Sequence, residues 1–395
     1  MGTISQRRPV LVIGAGPAGL TAAIALARLG VRVLVVDKRP APSDLPRATV
    51  LSTRTMEIMR DWALDRALLA GGNDVEWQMW AAPSLARAAE GRPLPVGYPT
   101  KAQAAAVSPS APACVPQDHL ERVLESHLRT LPAATIVRGR AAGPADVEGA
   151  QYVIAADGAR SATRAALGIS APGTDDIMDG TNALFRDPLL WRLAGPHRYG
   201  IYWTVEAGGI LLPSGSGDRW HYGVTPAVPP DRLPSLIERA VGVPGFAPRL
   251  ERVGTFTSSA RLAERYREGN TFLVGDAAHQ ITPRGGTGLN TALYDGYDLG
   301  WKLAWVLRGW ASADLLDTYE AERRPVAAHN VARSADPRGS NRTVEEELHI
   351  DLGGRVLDGR PGWPDGVPLA LRGLPEWVAG PGLALDQAQA GRGRG

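Results

Sequence analysis

The stretch GDAAHQITPRGGTGLN, residues 275–290, places an acid, a histidine, a proline, an arginine and four glycines just ahead of a long apolar-periodic segment. Asp276 follows the apolar residues TFLVG, so its carboxylate is expected at the carboxyl end of a strand, where open α/β sheets bind ligands and where it could accept a ribitol or ribose hydroxyl. Pro283, Gly285, Gly286 and Gly288 then form a backbone-lined shelf ending where a helix over 289–309 begins. Several N–H groups and the positive helix end converge there, which suits a planar ring that gains negative charge on reduction. A flavin is the simplest such ring. The plain alternative is a loop whose glycines only turn the chain and an acid that only caps a helix.

A second constellation, Gly14-Ala15-Gly16-Pro17-Ala18-Gly19, has Asp37 eighteen positions beyond Gly19. Gly14 permits a tight turn, Gly16 lets the backbone approach a pyrophosphate, and Gly19 lets a helix lie close to its strand. Pro17 and Ala18 open that helix, whose free N–H groups can meet phosphate. Asp37 can accept both hydroxyls of an adenosine ribose, and Lys38 stands beside it. The fingerprint alone does not choose between FAD and NAD; the 275–290 loop favours FAD.

Both constellations need a parallel sheet covered by helices to position them. Residues 9–13 are a continuous apolar run, 17–29 recur apolar at helical spacing with Gly30 as cap, and VRVLVV at 31–36 returns as the next strand. Further helices are expected at 53–62, around 117–129 and at 289–309. The stretch 193–258, with RYGIYWTVEAGGILL and DRWHYGVTPAV between turn residues, reads as antiparallel sheet. The fold class is therefore α/β, α+β overall: a Rossmann-like FAD-binding domain with an inserted antiparallel-sheet substrate domain.

Composition narrows the function classes. The 395 residues are 44% hydrophobic and 21% charged with a formal net charge of +2, and no dense basic run could track a phosphate backbone, so nucleic acid is not an expected partner. Cys114 is the single cysteine, which leaves no disulfide and no CxxC site. No apolar run approaches the roughly 18 residues that cross a bilayer. Arg7 and Arg8 run straight into the glycine fingerprint without a cleavage site, so the expected location is the cytoplasm, away from membranes.

With these residues in view, the chain resembles the FAD-dependent aromatic hydroxylases, single-component flavoprotein monooxygenases of the para-hydroxybenzoate hydroxylase fold, and in particular their polyketide-tailoring branch. VIGAGPAGL, ADGARSATR at 155–164 and GDAAHQITPRGGTGLNTALYDGYDLGWKLAWVLRG at 275–309 carry the likeness, which covers roughly residues 9–345. The resemblance implies that Asp37 holds adenosine ribose, that Arg47 and Gln117 contact the FAD, that Asp276 binds the ribitol chain, and that Gly286, Gly288, Leu289 and Asn290 line the pyrimidine side of the ring. It associates Asp157 with both FAD and NAD(P)H. It further implies NADPH or NADH as reductant, molecular oxygen as co-substrate, a flavin C4a-hydroperoxide and no metal, acting on a small aromatic substrate by hydroxylation, epoxidation or Baeyer–Villiger insertion. A monomer or homodimer is expected.

On this reading residues 1–75, 100–175 and 260–345 form a discontinuous FAD-binding domain, 76–99 and 176–259 the substrate domain, and 346–395 a Gly/Pro-rich tail, the remnant of a thioredoxin-like extension and loosely packed or disordered from about 353. Trp80, Tyr202, Trp203, Trp220, His221 and Tyr222 are candidate substrate-layer residues, and alternation puts Trp220 and Tyr222 on one face and His221 on the other. Arg284 replaces the apolar residue usual in the family and, with Pro283, Tyr202 and His221, is a candidate for orienting the guest. Arg160 and Arg164 are expected on one helical face. Few residues separate the helix starting at Gln117 from YVIAADG, so the cofactor domain is trimmed. The alternative function is a catalytically inactive flavin-binding remnant that serves a pathway as partner or scaffold.

Overall fold

The computed structural model describes residues 9–94, 96–339 and 343–353, so Arg7, Arg8 and the tail beyond 353 lie outside the described residues. A six-stranded sheet runs in the order Arg267–Glu268, Thr271–Leu273, Tyr152–Ala155, Val10–Ile13, Val33–Asp37, Ala134–Arg138. All neighbours are parallel except the first pair. Val10, Leu11 and Val12 are buried, as a strand covered on both faces must be. Between Ala134–Arg138 and Tyr152–Ala155 the chain forms only the short helix Pro144–Glu148.

The first helix, Pro17–Arg28, and the helix Gly288–Arg308, called here the shelf helix, pack directly on one another. A Cβ on Gly296 would lie 2.2 Å from the Ala18 carbonyl oxygen, and one on Gly300 would lie 2.6 Å from the Ala25 Cβ. Those two glycines let the helices touch along their backbones, which fixes the glycine fingerprint and the shelf as one unit.

An eight-stranded sheet follows the order His279–Gln280, Leu250–Leu262, Gly173–Arg186, Arg219–Val224, Gly209–Pro213, Tyr199–Thr204, Glu76–Ala82, Arg92–Leu94. It is antiparallel apart from one parallel pair, Tyr199–Thr204 with Glu76–Ala82. Two helices within the 187–249 stretch, Leu189–Ala194 and Leu233–Val241, were not expected from the strand pattern. They cover one face of the sheet, where Trp80, Phe185, Tyr202, Leu211, Trp220 and Tyr222 form a closed core. Trp80 stacks on Tyr199 with ring centroids 4.6 Å apart, an arrangement worth about 0.5–1.5 kcal/mol beyond area burial.

The other face is half-buried: Ile201, Ile210, Leu212, His221 and Gly223 alternate with those core residues. It looks toward the six-stranded half, because Arg219 donates from Nη1 to Asp118 at 2.8 Å and from Nη2 to the Asp44 carbonyl at 2.9 Å. No helix of the described residues is long and apolar enough to cross a membrane.

Candidate active site

Asp37 closes its strand at the mouth of the glycine turn and is 4% exposed. Its Oδ2 accepts the Ala15 N–H at 2.7 Å, its Oδ1 accepts the Arg39 N–H at 2.7 Å, and the Arg39 guanidinium donates to both oxygens. Burial pushes this carboxyl up, but the bonds from Arg39 and Ala15 outweigh it and leave it below the usual carboxylate range. Arg138 Nη1 stands 3.7 Å from the same Oδ2, while Lys38 is exposed beside it. Within the fingerprint, a Cβ on Gly14 or Gly19 would collide with backbone at 2.2 and 2.0 Å, whereas one on Gly16 would meet nothing within 4 Å. The open side of the turn is therefore at Gly16, where a pyrophosphate would approach.

Asp276 is built differently. It is exposed, sits in the single turn Gly275–Ala277 after the Thr271–Leu273 strand, and bonds none of the described residues. Protein still crowds it enough that burial lifts its carboxyl above the ordinary value, with His279 and Arg47 pulling the other way. Arg47, itself exposed, is thereby brought into the electrostatic range of Asp276.

The shelf continues through left-handed Gly285 and Gly286 (φ +79° and +65°), and the Gly286 carbonyl accepts Tyr98 Oη–H at 3.0 Å. No side chain caps the start of the shelf helix at Thr287 or that of the first helix at Gly16. Their first-turn N–H groups are left for a ligand or water. Together, two acids at strand ends and two uncapped helix starts fit a nucleotide-linked flavin, with Asp37 and Asp276 as hydroxyl acceptors.

Several expected residues stand elsewhere. Asn290 is 3% exposed; its Oδ1 accepts Ser52 N–H and Thr55 Oγ1–H, and its Nδ2 donates to the Val50 carbonyl and Tyr98 Oη. Its amide is thus committed to holding the Ser52 turn, and only its backbone is left for a ring, while Leu289 is half-buried. The Arg284 guanidinium turns back onto the carbonyls of Ser334 and Ala335 at the end of the Asp317–Ala335 helix, at 3.4 and 3.3 Å. A cation there complements the helix dipole, so the expected placement beside a guest is corrected. Pro283 is exposed on the same loop.

Tyr202 is corrected as well. It lies on the closed face, 2% exposed, and donates to the His197 carbonyl at 2.6 Å; burial pushes its phenol up to about 12. Trp80, Trp220 and Tyr222 share that core. His221 lies on the half-buried face, and burial, aided by Arg219, lowers its imidazole to about 4, so it is neutral near pH 7. Asp157 accepts from Ser161 Oγ and from Thr163 N–H and Oγ1, capping the Ala162–Ala166 helix. Arg160 precedes that helix and is exposed, whereas Arg164 donates to the Ala277 carbonyl at 2.8 Å, tying this loop to the Asp276 turn rather than sharing a face with Arg160. Gln117 opens its helix and donates Nε2 to Glu121 at 2.9 Å.

Arg39 and Tyr98 were not singled out by sequence: Arg39 acts on Asp37 only two residues away, whereas Tyr98 matters through Gly286 and Asn290, which are far along the chain. Asp295 carried a signal that could have been read, an acid on the apolar stripe of Ala292, Gly296 and Leu299.

The fold and these paired cradles define a dinucleotide-binding flavoprotein. The chain belongs to the FAD binding domain family, whose profile matches residues 7–334. The aklavinone 12-hydroxylase of Streptomyces purpurascens is 37% identical over 362 residues, covering 82% of this chain and 67% of that protein. The tetracenomycin A2 monooxygenase-dioxygenase of Streptomyces glaucescens is 31% identical over 458 residues, covering 98% and 79%. The solved ternary complex of aklavinone-11 hydroxylase with FAD and aklavinone matches with a TM-score of 0.72 at 32% identity, over 92% of this chain and 73% of that one. The chain spans 58–67% of the length of the first three curated relatives it matches.

Proposed function

We propose that the protein is an FAD-dependent monooxygenase that uses NADH or NADPH and O2 to hydroxylate an aromatic, polycyclic natural-product intermediate. The observation that supports this most is the exposed Asp276 carboxylate, unbonded to any described residue, in a turn packed against the shelf helix whose start has no side-chain cap. Bound FAD would supply two-electron transfer from NAD(P)H and activation of O2, the overall reaction of substrate, NAD(P)H, a proton and O2 giving hydroxylated product, NAD(P)+ and water.

The chain's own part is to bind, orient and exclude water. Asp37 and Asp276 accept sugar and ribitol hydroxyls, the first helix presents its N–H groups to the diphosphate, and Gly286, Gly288 and Leu289 offer backbone to the ring's pyrimidine edge. The half-buried face, where Ile201 and Leu212 pack against the small core of Trp77, Tyr98 and Cys114, would supply apolar area for a flat guest. Neutral His221, whose ring bonds none of the described residues, can exchange one hydrogen bond with a phenol or quinone oxygen.

The test takes purified protein with FAD, records the visible absorption, and adds aklavinone, the ligand in the matching complex, with NADH or NADPH under labelled O2. Labelled hydroxylated product is expected. A protein that stays colourless and apo sinks the flavin reading. Product without label means dehydrogenation or rearrangement. Bound FAD with no guest-stimulated NAD(P)H oxidation, across aklavinone and simpler hydroxyanthraquinones, favours the scaffold alternative.

A further inference from the structure

Asp295 sits two turns into the shelf helix and is fully buried. Its Oδ2 accepts the Gly275 N–H at 3.0 Å and meets His279 Nε2 at 2.6 Å, and its Oδ1 accepts Arg323 Nε at 3.1 Å. Gly275 immediately precedes Asp276. His279 pairs with Leu262 at the edge of the eight-stranded sheet. Arg323 belongs to the Asp317–Ala335 helix, which also holds the shelf loop through Arg333 to Thr287 and through Ser334 to Thr282. One carboxylate thus gathers the acid turn, the substrate sheet and the helix behind the shelf.

Burial pushes the Asp295 carboxyl up, but His279, Arg323 and the Gly275 N–H leave it below the usual range, so it is ionised and fully engaged. The same helix presents its N-terminus to the ring and, through Asp295, sets where the Asp276 turn stands. A ribitol chain and its ring are covalently joined, so a site that binds both must hold their acceptors at one separation.

We infer that Asp295 is a positioning residue for flavin binding, fixing the Asp276 turn against the shelf helix through the Gly275 N–H. This rests on the flavin reading above. Side chains that hold a ligand's direct contacts in place change affinity without touching the ligand, by on the order of tenfold or more in well-ordered sites.

The experiment titrates FAD into the apo protein, following quenching of FAD fluorescence and the visible circular dichroism of the bound flavin, and melts each apo variant in parallel. Asp295→Asn is expected to bind FAD on the order of tenfold more weakly with an altered flavin dichroism. His279→Gln keeps an N–H for Asp295 and is expected to stay within about twofold of wild type, whereas His279→Leu is expected to weaken binding toward the Asp295→Asn value. A folded Asp295→Asn with wild-type affinity and dichroism overturns the inference. If Asp295→Asn does not fold, equal affinities for His279→Gln and His279→Leu overturn it instead. A wild type that binds no FAD sinks the flavin reading first, and is told apart because all variants then behave alike.

Discussion

Asp37 and Asp276 close two strands of one parallel sheet, and their surroundings are opposite. Asp37 is buried and already bonded to Ala15 and Arg39, which hold its carboxyl below the ordinary range. Asp276 is exposed, accepts no bond from the described residues, and is lifted above it by burial. The first acid therefore shapes its own turn whether or not a ligand is present, and a ribose must share it with Arg39. The second makes no bond within the fold and has its acceptors free. Stability and binding are merged at one end of the cradle and separated at the other.

The sharpest way to break this contrast is to remove each acid. Asp276→Ala is expected to cost the most FAD affinity, about 1.5–3 kcal/mol for lost hydrogen bonds to a charged group, or roughly ten- to a hundredfold. The apo protein should melt no lower than wild type. Asp37→Ala is expected to weaken FAD too, but also to lower the apo melting temperature, since the Ala15 N–H loses a buried acceptor and Arg39 its partner, about 1–3 kcal/mol. Fluorescence titration and thermal melts on both variants measure the two quantities. Equal apo melting losses would erase the difference between the acids.

How much of this was legible follows the range of the interactions. The Gly14–Asp37 unit and the helices at 53–61, 117–130 and 288–308 are local patterns, and the chain forms them where spacing put them. Alternation in Arg219–Val224 correctly split Trp220 and Tyr222 from His221, yet could not say which face closes, because that depends on helices 189–194 and 233–241 brought in from elsewhere. Tyr202 fell on the closed face for the same reason. Arg284 stood out as an unusual charge, and its partner is the end of a helix some 50 residues later. Tyr98 acts wholly through tertiary partners, which composition and spacing do not encode; Asp295 stood out on an apolar stripe, yet its partners Gly275, His279 and Arg323 could not be named from it, while Arg39, two residues from Asp37, lay within local range.

The opposite shifts predict opposite pH dependence. Asp37 is depressed in the folded state, so its contribution is present above the unfolded value near 3.8 and is lost as pH falls through its lower folded value. Asp276 is raised, so its contribution is complete below 3.8 and is lost as pH rises through its higher folded value. Comparing apo stability against pH, wild type minus Asp37→Asn should grow as pH rises, and wild type minus Asp276→Asn should shrink. Asp276→Asn should therefore be the more stable apo protein at neutral pH, although it binds FAD poorly. The FAD affinity of wild type should also fall on acidification before that of an ordinary aspartate site, and this limb should vanish in Asp276→Asn while persisting in Asp37→Asn. Difference curves of the same sign would refute the assignment.

The smallest effect concerns Arg39 alone. Its guanidinium is about a third exposed and covers Asp37, so ribose hydroxyls must displace or share bonds at 3.1 and 3.3 Å. A half-exposed ion pair contributes at most about 1 kcal/mol after screening, and the Arg39 backbone N–H keeps its own bond to Oδ1 when the side chain is changed. Arg39→Met preserves length and apolar contact while uncovering the carboxylate, so the apo protein should lose under about 1 kcal/mol. FAD association should be faster by a few-fold, because no pair has to open first, with the equilibrium affinity changed less than by either acid substitution. Stopped-flow quenching of FAD fluorescence at two salt concentrations measures this: salt should speed wild type by loosening the pair and leave Arg39→Met nearly unaffected by that route. An unchanged association rate in Arg39→Met would mean that Arg39 does not cover the ribose acceptor, and the difference between the two acids would then rest on burial and the Ala15 N–H.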